Sequence, residues 1–202
     1  MTTELRTAAD DVPVRLPDAR AARVVEVART GDDARVVEVA RRTVDSPLGC
    51  LLLAATDRGL LRVAFEREGH DAVLAQLADR VGARVVRAPS RLDAAARQLE
   101  EYFAGERRAF DLPLDLQPAR GAFRTAVLRH LPGIAYGRTL SYAALAAAAG
   151  RPTAARAAGT ACATNPLPVV VPCHRVVRSD GHVGQYLGGT DAKRALLRLE
   201  AP

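Results

Sequence analysis

The start of the chain alternates apolar and polar positions, a pattern typical of half-buried strands. Residues 22–29 and 34–41 carry the same eight letters, ARVVEVAR. Two copies are too few for a repeat architecture. The alternation predicts short strands, joined into a hairpin by a turn at residues 30–33, and a partly disordered leader is the alternative. We therefore treat residues 1–42 as a leader that is separate from the domains.

Residues 43–117 predict a small α/β domain, because strand-like and helix-like apolar periods follow each other. The predicted elements are strands at residues 50–55, 60–65 and 83–86 and helices at residues 70–81 and 90–103. Thr56-Asp57-Arg58-Gly59 is a plausible hairpin turn between the first two strands. Gly105 follows the second helix, where glycine commonly ends a helix.

Residues 118–202 predict a mainly helical domain. One helix covers residues 123–131 and ends at Pro132-Gly133, a second begins after the capping hydroxyl of Ser141, and a third runs from a Thr153 cap to about residue 163. Two short helices across a short turn that contains glycine are typical of a helix-turn-helix. The fold class is therefore α+β, with a small N-terminal α/β domain followed by a mainly helical domain.

Composition and charge narrow the functional classes. The 202 residues are 49% hydrophobic and 26% charged, as in globular proteins, and no apolar run approaches the roughly 18 residues of a membrane span. Met1-Thr2-Thr3-Glu4 lacks the features of a secretory signal, so we expect a cytoplasmic protein without a membrane partner. The net charge of +6 is compatible with a polyanionic partner, although solubility explains it equally well.

The strongest chemical signal is Pro172-Cys173-His174-Arg175-Val176. A cysteine attacks as the thiolate, and a neighbouring base or cation promotes that form. Glu200, near the chain end, could orient His174 as the third member of a triad. A buried structural cysteine is the alternative interpretation. The other cysteines, Cys50 and Cys162, add neither metal-ligand spacing nor an even disulfide set, so we expect reduced thiols, no metal and no cofactor.

The third predicted helix carries one long cation, Arg156, among the small residues 154–161. Such a helix can approach another surface closely, with the arginine projecting as a wedge. An alanine-rich packing helix with one exposed arginine is the alternative.

A set of motifs extends over roughly residues 43–200: Ser46-Pro47-Leu48-Gly49, Gly59-Leu60, Tyr102-Phe103-Ala104-Gly105, Ser141-Tyr142, residues 154–159, Asn165-Pro166, residues 172–176, residues 184–189, Lys193, Leu196-Leu197 and Glu200. Together these motifs resemble those of the O6-alkylguanine-DNA alkyltransferases, also called methylated-DNA–protein-cysteine methyltransferases. The resemblance implies a ribonuclease H-like N-terminal domain and a C-terminal DNA-binding domain with a helix-turn-helix.

The resemblance also implies a reaction and a set of residue roles. Cys173 would accept an alkyl group from O6 of guanine, and possibly from O4 of thymine, in a single irreversible turnover. His174 would activate the thiol through a water, Glu200 would hold the imidazole, and Asn165 would brace the preceding turn. Tyr142 would assist base flipping or donate a proton to N3 of the departing guanine. Duplex DNA hides the O6 atom from a buried thiol, so the base must first leave the stack.

The implied partner is double-stranded DNA containing O6-alkylguanine, bound from the minor groove by a monomer. Arg156 would replace the flipped base in the stack. The expected DNA-binding residues are Tyr142, Thr153, Ala155, Arg156, Gly159 and Arg175, and the expected pocket residues are Pro168, Val176, Tyr186, Leu187 and Gly188. Val127-Leu128 departs from many relatives and Leu187 from some of them, which bears on pocket size and substrate range.

Three functional hypotheses follow. A stoichiometric repair alkyltransferase needs Cys173, His174 and Glu200 together. A non-catalytic lesion sensor would lack the acceptor cysteine, so Cys173 argues against it. A regulator that senses alkylation would need a zinc-binding cysteine cluster and a further DNA-binding domain, for which we expect no room in residues 1–42.

Overall fold

The computed structural model of the protein describes residues 37–81, 83–116 and 121–201. The N-terminal domain contains β1 (Val37–Val44), β2 (Leu51–Thr56), β3 (Gly59–Phe65), α1 (His70–Val81), β4 (Ala83–Arg87) and α2 (Asp93–Phe103). The C-terminal domain contains α3 (Ala122–His130), β5 (Leu140–Ser141), α4 (Tyr142–Ala148), α5 (Ala155–Ala163), β6 (Val176–Val177) and α6 (Thr190–Leu199). Among the described residues, no helix is long and apolar enough to cross a membrane.

The N-terminal domain is built on a four-stranded sheet of order β3-β2-β1-β4. The first three strands are antiparallel neighbours, whereas β4 pairs in parallel with β1. All of β2 is buried because both faces of the sheet are covered, and residues 51–55 accordingly form a continuous apolar run. Leu52 packs with Val73 of α1, while Leu51 and Leu53 belong to the core that contains Leu99 of α2.

The sheet begins earlier than the expected boundary at residue 43. β1 starts at Val37, so the end of the second repeat copy belongs to the sheet and not to a leader. Ala40 and Arg41 pair with β2 on one side and with β4 on the other, and the side chains of Val39 and Ala40 are completely buried in the core on the two faces of the sheet. The first copy and the turn expected at residues 30–33 lie outside the described residues, as does the expected domain boundary between residues 117 and 118.

The predicted elements of this domain otherwise agree with the structure. The hairpin turn connects Thr56 to Gly59, and α1 has the predicted bounds. Gly59 has a φ of 141°, and a Cβ atom on it would lie 2.2 Å from the carbonyl oxygen of Pro113. The position therefore requires glycine, because the segment after α2 runs directly against β3.

The helices α4 and α5 of the C-terminal domain pack against each other through buried Leu145 and Ala146 on α4 and Ala158 on α5. Ser141 caps α4 as predicted, since its hydroxyl accepts a hydrogen bond from the Ala144 amide at 3.1 Å. The predicted Thr153 cap is wrong. The helix begins at Ala155 without a side-chain cap, because the turn closes through the backbone from the Ala154 amide to the Arg151 carbonyl at 3.0 Å.

The two domains share one apolar core, which includes Leu99 and Tyr102 of α2 together with Leu128 of α3 and Leu196 of α6. They are also joined by hydrogen bonds. The carbonyl oxygen of Pro166 accepts from the Val63 amide at 2.9 Å and from the Arg62 guanidinium at 3.1 Å. The sheet edge therefore holds the segment that leads to Cys173.

Candidate active site

Cys173 begins a short 3-10 turn, residues 173–175, and its side chain is buried. The Asn165 side-chain amide donates to the Cys173 sulfur at 3.1 Å and to the Val171 carbonyl at 2.8 Å. The amide oxygen of Asn165 accepts from the Leu167 backbone at 3.0 Å. One buried side chain thus fixes both the thiol and the loop that precedes it.

The loop before the cysteine is held in an unfavourable conformation. Val169 has a φ of 73°, a left-handed conformation that is rare for a β-branched residue. Such strain costs on the order of 1–3 kcal/mol and persists only where the surroundings impose it. Here the Asn165 hydrogen bonds and the Val171 amide, which donates to the Leu167 carbonyl at 2.7 Å, impose the shape.

Behind the cysteine, His174 and Glu200 form a buried pair. The Nε2 atom of His174 lies 2.9 Å from Oε1 of Glu200. Arg175 donates to both carboxylate oxygens at 2.8 and 2.9 Å, and the Tyr102 hydroxyl donates to Oε1 at 2.6 Å. Burial alone would raise the pKa of Glu200, but the hydrogen bonds from His174 and Arg175 lower that pKa to about 2. Glu200 is therefore an ionised acceptor at neutral pH.

The protonation of His174 follows from this arrangement. Burial lowers the pKa of His174, although the Glu200 carboxylate opposes the shift, so the imidazole is neutral at neutral pH. An ionised carboxylate only accepts hydrogen bonds, so Nε2 carries the proton. Nδ1 is then unprotonated, and it has no hydrogen-bond partner among the described residues. This nitrogen is a base with a free lone pair.

The Cys173 thiol is not ionised in the resting protein. Burial raises its pKa to about 11, while the Asn165 hydrogen bond and the Lys193 ammonium oppose that shift. A nucleophilic role would therefore require a base to remove the proton. The site supplies both the base, His174, and two groups that favour the negative sulfur.

Lys193, on α6, is a fully buried cation beside the candidate site. Its ammonium group donates to the Val176 carbonyl at 2.5 Å and lies 5.7 Å from the ring centre of Tyr142. Burial lowers its pKa, and the nearby thiols of Cys173 and Cys162 oppose that change. The sequence alone does not predict that Lys193 is buried next to these thiols, because a lysine on an amphipathic helix ordinarily faces solvent.

Four of the expected DNA-binding residues line one cavity of about 540 Å³: Tyr142, Ala155, Arg156 and Gly159. Ala143, Arg178 and Ser179 complete its lining. Gly159 faces the Tyr142 ring, and a Cβ atom at this position would lie 3.9 Å from that ring, an ordinary van der Waals distance. Arg156 is exposed, and Thr153 is exposed on the turn outside the cavity lining.

The expected pocket residues lie on two segments that flank Cys173. Pro168 and Val176 are buried beside it in the chain, whereas Leu187 and Gly188 are half-buried. Tyr186 stands edge-on to the His174 ring at 6.3 Å and to Phe65 of β3 at 5.6 Å. The contact with Phe65 places the N-terminal domain behind this loop.

Arg175 corrects one sequence-based expectation. It was expected to contact DNA, but its side chain is buried, with both carboxylate oxygens of Glu200 and the Ile134 carbonyl as acceptors. Its guanidinium also lies 5.8 Å from the ring centre of Tyr136. A cation engaged in this way is a structural counter-ion of Glu200, and it is not available to a phosphate.

The remaining thiols differ from Cys173 in their surroundings. Cys162 is buried on α5, where burial raises its pKa to about 12, and Cys50 is half-buried before β2. Neither receives the asparagine hydrogen bond that Cys173 has. Within the described part of the chain, no group of three or more potential ligands is arranged to hold a metal ion.

Two family models match the chain, and their limits follow the two domains. The model described as "6-O-methylguanine DNA methyltransferase, ribonuclease-like domain" matches residues 39–116. The model described as "6-O-methylguanine DNA methyltransferase, DNA binding domain" matches residues 122–202.

Individual proteins match over similar lengths. A methylated-DNA–protein-cysteine methyltransferase of Mycolicibacterium paratuberculosis is 42% identical over 159 residues, covering 79% of this chain and 90% of the relative. The protein of the same description from Methanosarcina barkeri is 38% identical over 157 residues, covering 78% and 94%.

Solved structures show the same fold. The crystal structure of Mycobacterium tuberculosis O6-methylguanine methyltransferase has a TM-score of 0.70 and 37% identity, covering 81% of this chain and 95% of that chain. The structure of Mycobacterium tuberculosis OGT in complex with DNA has a TM-score of 0.68 and 38% identity, covering 82% and 96%.

Proposed function

The chain belongs to the 6-O-methylguanine DNA methyltransferase family, and on this premise we propose that it repairs DNA directly, by moving an alkyl group from O6 of guanine to Cys173. Both the family resemblance and the two-domain fold expected from the sequence are confirmed. The observation that carries the proposal is the buried Cys173 thiol, held by Asn165 and followed by a neutral His174 paired with Glu200.

The transfer begins with removal of the thiol proton. Nδ1 of His174 accepts this proton through a water, and the imidazolium that forms is stabilised by Glu200 at 2.9 Å. Lys193 and Asn165 favour the negative sulfur that forms, but the pKa of about 11 leaves the thiol protonated until the base acts. In this role Glu200 acts through His174 and makes no contact with the substrate.

The thiolate then displaces guanine in line. A sulfur–carbon bond forms as the bond between that carbon and O6 breaks, and the electron pair leaves with the guanine. Tyr142 supplies a proton to N3 of the leaving base and recovers one from solvent, while the His174 imidazolium releases the former thiol proton to solvent, so the guanine, Tyr142 and His174 all end neutral. The thioether on Cys173 is stable, so each protein molecule reacts once and no cofactor is consumed.

The base must reach Cys173 from a duplex. We propose that α5 enters the minor groove, where DNA-binding proteins commonly insert arginine, and that Arg156 occupies the space left by the flipped nucleotide. Two features support this orientation: Arg156 is exposed among the small residues of α5, and it lines the cavity that contains Tyr142. Small residues let the helix backbone approach any flanking sequence.

Intact-protein mass spectrometry tests this function. After incubation with a duplex that contains O6-methylguanine, the wild type should gain one methyl group and Cys173→Ala should gain none while still binding the duplex. Cys162→Ala is the matched control, because it removes another buried thiol, and it should be methylated like the wild type. A wild type that binds the duplex without any gain in mass would be a lesion sensor.

Transfer from O4 of thymine, action as a monomer and a cytoplasmic location stay predictions. They concern the substrates, the oligomeric state and the location of the protein, and the transfer chemistry at Cys173 does not depend on them.

A further inference from the structure

Tyr102 brings a hydroxyl group from the N-terminal domain into the buried centre of the site. It lies near the end of α2 and is fully buried, with its ring packed against Phe110 and Tyr136. Its hydroxyl donates to Oε1 of Glu200 at 2.6 Å and lies 3.4 Å from Nε2 of His174. The hydroxyl therefore touches both members of the pair that activates Cys173.

The two distances decide where the phenolic proton lies. A hydroxyl has one proton to donate, and the shorter contact with an ionised carboxylate takes it. The phenolic oxygen then presents lone pairs toward Nε2 of His174. Two oxygens, from Tyr102 and Glu200, face this nitrogen as acceptors, so Nε2 must carry the ring proton.

Arg175 competes with His174 for the Glu200 carboxylate, and Tyr102 is needed to keep that carboxylate near His174. Arg175 binds both oxygens of Glu200, and such a two-point ion pair satisfies a carboxylate without any need for His174. Tyr102 binds Oε1 as a further donor, at the oxygen that also meets His174. The phenol thereby holds Oε1 against the imidazole.

Resting on the proposed function, we propose that Tyr102 is a positioning residue for alkyl transfer, which holds Glu200 against Nε2 of His174 and so keeps Nδ1 free to accept the thiol proton. Neutral histidine has two tautomers, and the hydrogen bond at one nitrogen selects which nitrogen is free. Without Tyr102, Glu200 can pair with Arg175 alone, and the protonated-Nδ1 tautomer becomes populated. That tautomer has no lone pair to offer to the Cys173 proton.

The hydroxyl keeps this role over the whole working pH range. Burial and the adjacent Glu200 carboxylate raise the pKa of Tyr102 far above its ordinary value. The phenol therefore remains a donor even where the Cys173 thiol ionises. The N-terminal domain accordingly contributes to the proton transfer, beyond its support of the fold.

Tyr102→Phe tests this role because it removes the oxygen and leaves the ring in place. Tyr136→Phe is the matched control: its hydroxyl belongs to the same aromatic cluster but donates to the Leu199 carbonyl at 3.0 Å. Both variants and the wild type are reacted with the free base O6-benzylguanine between neutral and alkaline pH, so that DNA binding does not enter. Single-turnover rates at Cys173 are the readout.

At neutral pH, Tyr102→Phe should react about tenfold more slowly than the wild type, the loss expected for one hydrogen bond to a charged group. The difference should shrink as the pH rises, because the thiolate then forms without the base. Tyr136→Phe should stay within about twofold of the wild type throughout, since its hydroxyl contacts neither His174 nor Glu200. Equal rates for the two variants, or a loss in Tyr102→Phe that does not change with pH, would overturn the proposal.

Nitrogen-15 NMR of the histidine side chains gives a second readout that needs no alkyl transfer. His174 should be the Nε2-protonated tautomer in the wild type and a mixture of tautomers in Tyr102→Phe, with His174→Gln used to assign the signal. A protonated Nδ1 in the wild type, or an unchanged tautomer in the variant, would refute the role of Tyr102. If the wild type failed to alkylate Cys173, the proposed function would fall, and the NMR result would still decide what Tyr102 does.

Discussion

Burial and hydrogen bonding act in opposite directions on the thiol of Cys173. Burial raises its pKa to about 11, so only a small fraction is thiolate at neutral pH, while Asn165 and Lys193 favour the charged form. The same burial keeps His174 neutral and therefore able to accept a proton. A nucleophile and a base that are both uncharged at rest avoid an isolated buried charge until the substrate is present.

His174→Gln and Glu200→Gln should each slow alkyl transfer by about a hundredfold at neutral pH, the usual contribution of a positioned base. Part of each loss should be recovered near the pKa of Cys173, about 11, where the thiolate forms unaided. The double variant should be little slower than either single variant, because residues that act as one relay fail together. Single-turnover rates against pH provide the measurement. Multiplicative losses without alkaline recovery would mean that the two residues only maintain the fold.

Arg175→Ala should lower the free energy of unfolding by about 3 to 5 kcal/mol, because the buried Glu200 carboxylate loses its counter-ion. Arg178→Ala is the matched control, since Arg178 is exposed and its pair with Asp180 is at the surface. That variant should change stability by less than about 0.5 kcal/mol. Urea unfolding at neutral pH measures both. A stable Arg175→Ala protein with weakened DNA binding would restore the sequence-based expectation for Arg175.

Among the secondary-structure elements, α4 and α5 carry the proposed contacts with DNA. Tyr142 begins α4, Arg156 lies in the first turn of α5, and both line the same cavity. The neighbours of Arg156 on α5 are small, so the helix offers its backbone and one cation and little else. Such a surface suits a protein that must bind damage in any sequence context.

Arg156→Ala should impair duplex repair far more than reaction with free O6-benzylguanine, because only the duplex requires a substitute for the flipped base. The stacking and unpairing energy at stake is a few kcal/mol, so the duplex rate should fall by about a hundredfold. Arg151→Ala is the control: Arg151 is an exposed arginine in the preceding turn, stacked on Phe123 at 5.5 Å, and the substitution should weaken duplex repair only slightly. Equal losses on both substrates would indicate that Arg156 acts at the pocket or in folding.

In the whole molecule, the N-terminal domain makes direct contacts with the candidate site in the C-terminal domain. The N-terminal domain contributes Tyr102 to the His174–Glu200 pair, Phe65 to the wall behind Tyr186, and Arg62 to the carbonyl of Pro166. Each of these contacts reaches a segment adjacent to Cys173 or its base. The sheet domain therefore positions the proposed reacting groups, and an isolated C-terminal domain would lack all three contacts.

Local patterns predicted the parts of the candidate site that are close in sequence or belong to a family motif. Cys173 and His174 are adjacent in one motif, and Glu200 follows directly after the last helix. The periodicity of apolar residues also predicted the positions of β2, β3 and α1. Tyr102 could not be assigned a role in this way, because a buried aromatic on an amphipathic helix looks the same whether or not its hydroxyl meets a distant carboxylate. The prediction that Arg175 contacts DNA was wrong because an arginine is usually exposed, and only the tertiary fold shows that Arg175 is buried against Glu200.

Two interpretations were wrong because longer-range or backbone interactions decided the outcome. The alternation at residues 34–41 predicted a strand, but that strand was assigned to a leader, whereas pairing with β2 and β4 makes Val37–Val44 part of the sheet. Threonine commonly caps helices, but at Thr153 the turn is closed instead by a hydrogen bond from the Ala154 amide to the Arg151 carbonyl.

In the proposed reaction the alkyl group leaves O6 of guanine in a duplex and arrives on Cys173. The most direct test uses a duplex with a carbon-13-labelled methyl group on O6 of one guanine, followed by peptide mapping of the protein and base analysis of the DNA. We predict one labelled methyl group per protein molecule, carried as a thioether on Cys173, and an equal amount of unmodified guanine in the repaired strand. Label on Cys50 or Cys162, release of the label into solution, or an unreacted lesion bound to intact protein would contradict it.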